Sequence, residues 1–450
     1  MPRVRRTFVP LILAALAVMP GLSHAGGAAP PDNRSMVLLL TILGAISAAY
    51  LVAHFLMDRI QKRMLVTSGI EYVLLGVLLG SSSGVLSDHT TLAPVLAFGT
   101  GWIGLLEGSS LRTASLGRLP VRALRLAVVD LFVVGGGVSL VGFATMHYGL
   151  DIAFNDAILA GCVLGCAATS GSASSTRLLG RRFPQLLTDT DSPTPRPGTV
   201  YELVAATSRL TQTFAILAFG VITCLFHRPI EGLESSPVAA EWLLLMLGLG
   251  LALGGLFRLL VSNESTENQR FMAMVGIICF STGAAFFLEL SALTVNLVLG
   301  AVLVQGSRGK ELKQSLNSTL PPVVLLLLVL GGVVWVPVDP LQGAILAGAA
   351  LFARGAFKLV SGAVAAAGTP LRPDIGRGFF AQGAVGLCIA LSYRLIFHGS
   401  EGVDLVFTAI LVSVVLSEAA APRLLRGLLV DAGELRQDIA MTDLPARPAS

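Results

Sequence analysis

Charged side chains are scarce in this 450-residue chain: 31 Lys+Arg and 27 Asp+Glu make up only 13% of it, about half the share of a soluble domain. Cysteine is scarce as well. The five present (Cys162, Cys166, Cys224, Cys279 and Cys388) all lie in apolar runs, are odd in number and form no CxxC spacing with histidine partners, which argues against a disulfide framework or a metal centre. HExxH is absent, and His and Asp do not cluster at metal-ligand spacing, so a membrane-embedded enzyme has no obvious centre and no cofactor is expected. What the chain has in plenty is apolar surface. Hydrophobic residues form 54% of it and the mean hydropathy is +0.78, which excludes a soluble enzyme, a disordered chain and a nucleic-acid module together. A net charge of +4 says nothing of a polyanionic partner, because basic residues in a polytopic protein first set orientation. The 49 Gly and 22 Pro suit closely packed and interrupted transmembrane helices.

Arg3, Arg5 and Arg6, an apolar run from Phe8 to Val18 and Ser23-His24-Ala25 before Gly26 follow the charge, core and small-residue order of a secretory signal. Residues 1–25 are therefore expected to be a signal peptide and 26–34 a short external segment, an uncleaved extra helix being the alternative. Apolar segments follow near 35–57, 64–82, 91–107, 121–146, 155–178, 200–226, 238–262, 270–288, 289–306, 318–337, 340–363, 376–398 and 403–425, about thirteen spans within a membrane domain at 35–425. Alternate loops carry the basic clusters, from Arg59/Lys62/Arg63 to Arg423/Arg426. The positive-inside rule then places the mature N-terminus outside and the tail, 426–450, in the cytoplasm. The longest loop, about 180–198, reads as a linker.

Two kinds of internal pattern point to a function. Glu71–Gly80 (EYVLLGVLLG) is echoed seven segments later by Asn296–Gln305 (NLVLGAVLVQ), and an odd offset reverses orientation, as in inverted-repeat transporters. The fifth segment holds Ala167-Ala-Thr-Ser-Gly-Ser-Ala-Ser-Ser-Thr176 and the twelfth Gly376-Arg-Gly-Phe-Phe-Ala-Gln-Gly-Ala-Val-Gly386. Such matched polar, glycine-rich interruptions at membrane depth expect two broken helices around a midplane site that includes Thr169, Ser170 and Gln382; tight packing of small residues is the other reading. Ionisable residues inside spans are few. Asp130 is a deep carboxylate, and Arg354 and Lys358 sit one helical turn apart on one face. Arg354 is expected to pair with Asp130, or failing that Glu202, while Lys358 reaches toward the cytoplasmic end. Arg209, Thr211, Gln212 and Thr213 form a polar stripe that suits a cavity wall. Glu71, Glu107 and Glu289 fall near segment ends and read as structural.

From about Leu51 to Ala420 these residues resemble the cation:proton antiporter superfamily, the bacterial sodium/proton exchangers and potassium-efflux relatives. Gly69-Ile-Glu-Tyr-Val-Leu-Leu-Gly-Val-Leu-Leu-Gly80 is similar to its early G-E-L-L-A-G-I-L-L-G segment, Trp102–Glu107 to F-L-I-G-L-E, Ala167–Gly171 to A-T-S-P, Glu289–Leu293 to E-L-x-G-L-S, and Gln382–Val385 to Q-G-G-V. Ala353–Lys358 fits the helix with its basic residue. The resemblance implies an all-α, inverted-repeat fold of thirteen helices with two unwound crossing helices, a homodimer in the bilayer, and exchange of a monovalent cation, sodium or potassium, for protons across the inner membrane. One departure stands out: where the family places an Asn-Asp or Asp-Asp pair, this chain has Thr211-Gln212, and the usual Glu five positions earlier falls at Thr207. That departure keeps a second reading open, a transport-inactive scaffold or sensor, and displaces any carrier acid to Asp130.

Overall fold

The computed structural model describes residues 69–82, 89–112, 120–183, 186, 198–227, 237–260, 267–306 and 309–435. The expected signal peptide, the external segment, the apolar segment at 35–57, most of the 180–198 connection and the end of the tail lie outside the described residues. All regular structure among the described residues is helical. In chain order the helices are α1 (Ile70–Ser82), α2 (His89–Gly108), α3 (Val121–Gly149), α4 (Phe154–Thr169), α5 (Ala173–Arg182), α6 (Val200–Leu225), α7 (Ala239–Leu260), α8 (Glu267–Phe287), α9 (Ala292–Leu303), α10 (Gly309–Val333) and α11 (Pro340–Ala366). A 3-10 helix (Pro373–Phe379), α12 (Gly383–Ile396) and α13 (Val403–Asp431) complete the chain.

Local sequence explains where these helices start and stop. Thr199 caps α6, Ser291 caps α9 and Asp339 caps α11, each side chain accepting a bond from an otherwise unpaired first-turn N–H. Pro340 stands at the first position of α11, where its missing N–H costs nothing. Among the described residues seven helices are long and apolar enough to cross a membrane, the pair Pro373–Phe379 and Gly383–Ile396 forms an eighth span bent by 64°, and there are four shorter apolar helices. Twelve of the thirteen expected spans are thus helical in the structure. The thirteenth, at 35–57, falls outside the described residues.

The packing repeats itself. α1 lies on α10 as α9 lies on α2; α3 packs on α4 as α11 packs on the 3-10 helix; α4 meets α6 as the 3-10 helix meets α13; α3 meets α6 as α11 meets α13. Advancing seven spans converts each contact into its counterpart. Seven is odd, so the two halves run in opposite directions across the bilayer, which is an inverted repeat. Small residues allow the two matching contacts to close. A Cβ on Gly76 would collide with Val329 O, and one on Gly332 with Val73 O; across α2 and α9 a Cβ on Gly104 would collide with Leu293 O, and one on Gly300 with Leu105 O. Without a hydrophobic drive between helices in lipid, such backbone approach supplies the packing. Gly104→Ala is accordingly expected to lower stability by about 1–3 kcal/mol through overpacking, whereas Gly248→Ala, with open space around the new methyl group, leaves the thermal midpoint in detergent nearly unchanged.

Two buried polar side chains, Trp102 and Asn296, are satisfied within the bundle. Trp102 Nε1 donates to Thr319 Oγ1 at 2.8 Å. Asn296, in the echoed segment, donates to Thr282 Oγ1 and Ala292 O and accepts from Ser281 Oγ. All five cysteines are free.

Candidate functional site

Both interruptions read from the sequence are present, and they touch. α4 ends at Thr169, the chain runs extended through Ser170 and Gly171, and Ser172 caps α5 by accepting from Ser175 N. In the other half the 3-10 helix ends at Phe379 and α12 starts at Gly383, a residue with φ +68° whose added Cβ would sit 3.0 Å from Ser172 Oγ. Ser170 Oγ lies 2.7 Å from Ala167 O and 3.0 Å from Gln382 O. The Gln382 amide donates to Ala167 O at 2.8 Å and accepts from Ser413 Oγ at 2.8 Å. Thr169 Oγ1 turns back to Gly165 O at 3.0 Å.

Breaking two helices at membrane depth frees carbonyls at two C-termini and N–H groups at two N-termini, all of which need partners. Arg354, fully buried on α11, serves the carbonyl ends. Its guanidinium donates to Ala168 O (3.1 Å) and Ser170 O (3.4 Å) of one break, to Phe380 O (2.7 Å) and Ala381 O (3.4 Å) of the other, and to Ser417 Oγ (3.0 Å). Glu418 on α13 serves the opposite ends. It accepts from Gly383 N at 2.8 Å and from Ser175 Oγ at 2.6 Å, at the N-termini of α12 and α5. Each charge thus faces the helix ends of opposite partial charge.

The expected pairing of Arg354 with Asp130 is therefore corrected. Asp130 is 1% exposed and takes Lys358 instead, at 2.6 Å, and also accepts from Ser361 Oγ at 2.9 Å. Lys358 is fully buried and also donates to Thr169 O at 3.2 Å, so it does not reach toward the end of the span. Glu202, the second expected partner, stays at the start of α6 and accepts from Gly198 N. The physical reason is geometric: a planar guanidinium with five donors suits several convergent carbonyls, while a compact ammonium suits one carboxylate. Asp130 immediately precedes a widened π turn, Leu131–Gly135, in α3, a distortion often found at functional positions.

Of the polar residues of α6, Thr211 lies against the first break. A Cβ on Gly171 would lie 2.8 Å from Thr211 Oγ1 and 3.2 Å from Ser208 Cα. Thr211 Oγ1 donates to Ser208 O at 3.1 Å. Gln212 Oε1 and Thr207 Oγ1 are buried without a hydrogen-bond partner among the described residues. Arg209 lies on the same helix, α6. No group of three or more His, Cys, Asp or Glu among the described residues is arranged to hold a metal ion.

Glu418 was absent from the residues singled out in the sequence. Its signal was available: it is an acid within the apolar segment at 403–425, and the same rule that draws attention to Asp130 applies to it.

An inverted repeat of helices with two crossing interruptions, each end neutralised by a buried charge, defines the class of antiporter-fold membrane proteins. Among solved structures the chain is similar to that of the sodium proton antiporter MjNhaP1 from Methanocaldococcus jannaschii at pH 8, with a TM-score of 0.62 and 14% identity over 89% of this chain and 99% of that one. No protein-family model matches the chain, and no curated protein matches it in sequence.

Proposed function

We propose that the protein is a secondary active transporter that exchanges a monovalent cation, sodium or potassium, for protons. It works in the inner membrane, as a homodimer, with its N-terminus outside and its C-terminus in the cytoplasm. The observation that carries this reading is the buried Asp130–Lys358 pair beside the crossing of the two broken helices. A carboxylate held against an ammonium has two ways to keep its charge balanced. Either Lys358 keeps its proton, or Lys358 gives it up and a metal cation takes its place on Asp130, with Thr169 O and Ser361 Oγ as neutral oxygen ligands. The two states exclude each other, which is what couples cation movement to proton movement. The unpartnered oxygens of Gln212 and Thr207 add neutral ligands on α6.

Proteoliposomes loaded with a pH-sensitive dye provide the test. Wild-type protein is expected to show proton flux driven by sodium or potassium gradients across about pH 6 to 9, the range where proton competition is felt. Asp130→Asn and Lys358→Gln abolish it. Robust flux in both variants overturns the reading.

One observation favours a second reading. The position that α6 offers the first break is Thr211, with Gln212 next to it in sequence, and an amide has no proton to exchange near neutral pH. On that reading the chain is a transport-inactive scaffold or sensor, and wild-type vesicles are silent. Thr211→Asn with Gln212→Asp separates the two: restored flux supports a transporter fold with a weakened site, whereas continued silence supports the scaffold.

A further inference from the structure

Glu418 is a buried acid that the exchange scheme leaves unused. From its Oε2 a row of hydroxyls leads outward. Ser175 Oγ stands 2.6 Å from Glu418 Oε2, Ser172 Oγ 2.8 Å from Ser175 Oγ, and Ser174 Oγ 3.1 Å from Ser172 Oγ. Glu418 is 9% exposed and Ser172 1%, whereas Ser175 is half-buried and Ser174 exposed. The row therefore joins a buried carboxylate to the surface of the bundle at the first turn of α5. The other carboxylate oxygen, Oε1, accepts from Gly383 N at 2.8 Å.

A hydroxyl both donates and accepts. Ser175 keeps its contact in either protonation state of the acid: it donates to the carboxylate, and turns to accept once Oε2 carries the proton. Gly383 N donates to Oε1 in both. A proton taken up at Ser174 moves along the row as each hydroxyl hands its own proton on and receives another. One proton arrives on Oε2, and the three serines end intact and reoriented.

We infer that Glu418 is a second proton-binding site, loaded through Ser174, Ser172 and Ser175, whose protonation opposes cation binding at Asp130. Its part in transport rests on the exchange reading; the proton binding does not. The two acids hold opposite ends of one break. Lys358, paired with Asp130, donates to Thr169 O where α4 ends, and Glu418 accepts from Ser175 Oγ where α5 begins. While ionised, Glu418 offsets the positive ends of α5 and α12; once neutral, it leaves them uncompensated beside the crossing, a field that disfavours a metal cation. Proton and cation then compete without sharing a ligand. Of the charged groups on elements packed against α13, Arg354 faces Glu418 from α11, bonded to the adjacent Ser417. The other described ones are held elsewhere: Lys358 by Asp130, Arg177 by Ala173 O, Arg377 by Asp374 and Asp431, Arg394 by Asp404, and Asp156 by Glu401 N. On α13 itself the next charge, Arg423, is exposed.

The test follows the acid itself in full-length protein purified in detergent, by infrared difference spectroscopy over about pH 5 to 9 in water and heavy water. Wild type is expected to show a protonated-carboxyl C=O band that shifts in heavy water, vanishes in Glu418→Gln and persists in Asp130→Asn. After a pH jump, Ser175→Ala should delay the band about tenfold or more, and Ser175→Thr, which keeps a hydroxyl, should restore the wild-type rate. A merely structural role for Ser175 would lower the thermal midpoint and leave that rate alone. In proteoliposomes Glu418→Gln should flatten the pH profile of cation-driven proton flux. Silent wild-type vesicles with the band present would refute exchange while confirming the proton site. A band unchanged in Glu418→Gln overturns the site, equal rates in wild type and Ser175→Ala overturn the route, and an unchanged pH profile in Glu418→Gln overturns its part in transport.

Discussion

Lys358→Ala is expected to be among the most damaging single substitutions in this protein, while the double variant Asp130→Asn/Lys358→Met folds close to normally. Removing the lysine leaves a carboxylate that is 1% exposed with only Ser361 Oγ at 2.9 Å for support. Breaking a buried ion pair in this way costs about 3–5 kcal/mol, whereas replacing both charges with neutral groups of similar volume is often nearly neutral. The loss is comparable with a large part of the stability of a typical domain, so Lys358→Ala should reduce the yield of monodisperse protein in detergent severely. Asp130→Asn alone strands the ammonium, which retains Thr169 O at 3.2 Å, and falls between the two. The double variant also separates folding from transport: it should fold and carry no cation-coupled proton flux. A double variant as unstable as Lys358→Ala would show that the pair does more than balance charge.

The sequence was informative about architecture and less so about partners. The interruptions at 167–176 and 376–386 were legible because polar residues and glycine are concentrated there at matching places seven spans apart, and both breaks are seen at Ser170–Ser172 and Phe380–Gln382. The repeat was legible but its register was one residue off: the echo sets Gly76 opposite Ala301, whereas Gly76 and Gly300 close the matching helix contacts. What periodicity could not settle is which of two cations meets one acid. Arg354 and Lys358 share a face one turn apart, and only the position of the broken backbone decides that the guanidinium goes to carbonyls and the ammonium to Asp130. Glu107 illustrates a second limit. At a helix end it reads as structural, and only the fold shows that its helix α2 packs on α6 and α10, which carry Arg209 and Lys313 from segments far apart in sequence.

Arg354→Ala should be at least as harmful as Lys358→Ala, for a different reason, and Arg354→Lys should not rescue it. The guanidinium reaches carbonyls of both interrupted spans, and its ring neighbour Phe380 lies 5.3 Å beneath it. Truncation leaves those carbonyls buried without a donor, and each unmade bond to a charged group is worth about 1.5–3 kcal/mol. A lysine has one nitrogen and cannot span both breaks. Glu418 balances the opposite helix ends, so its variants form a graded control. Glu418→Gln keeps one oxygen to accept from Gly383 N, while its amide nitrogen can only donate to Ser175 Oγ, which must turn to accept, and it loses the charge, a change of about 1 kcal/mol at helix N-termini; Glu418→Ala loses both contacts. The expected order of stability is wild type, Glu418→Gln, Glu418→Ala, then Arg354→Ala, read as thermal midpoints of detergent-purified protein. Hydrogen exchange adds a local readout: in Glu418→Ala, amides at 172–176 and 383–386 should lose protection while those of α7 stay as they are. If Arg354→Lys matched wild type in both measurements, the guanidinium would not be what holds the two broken helices together.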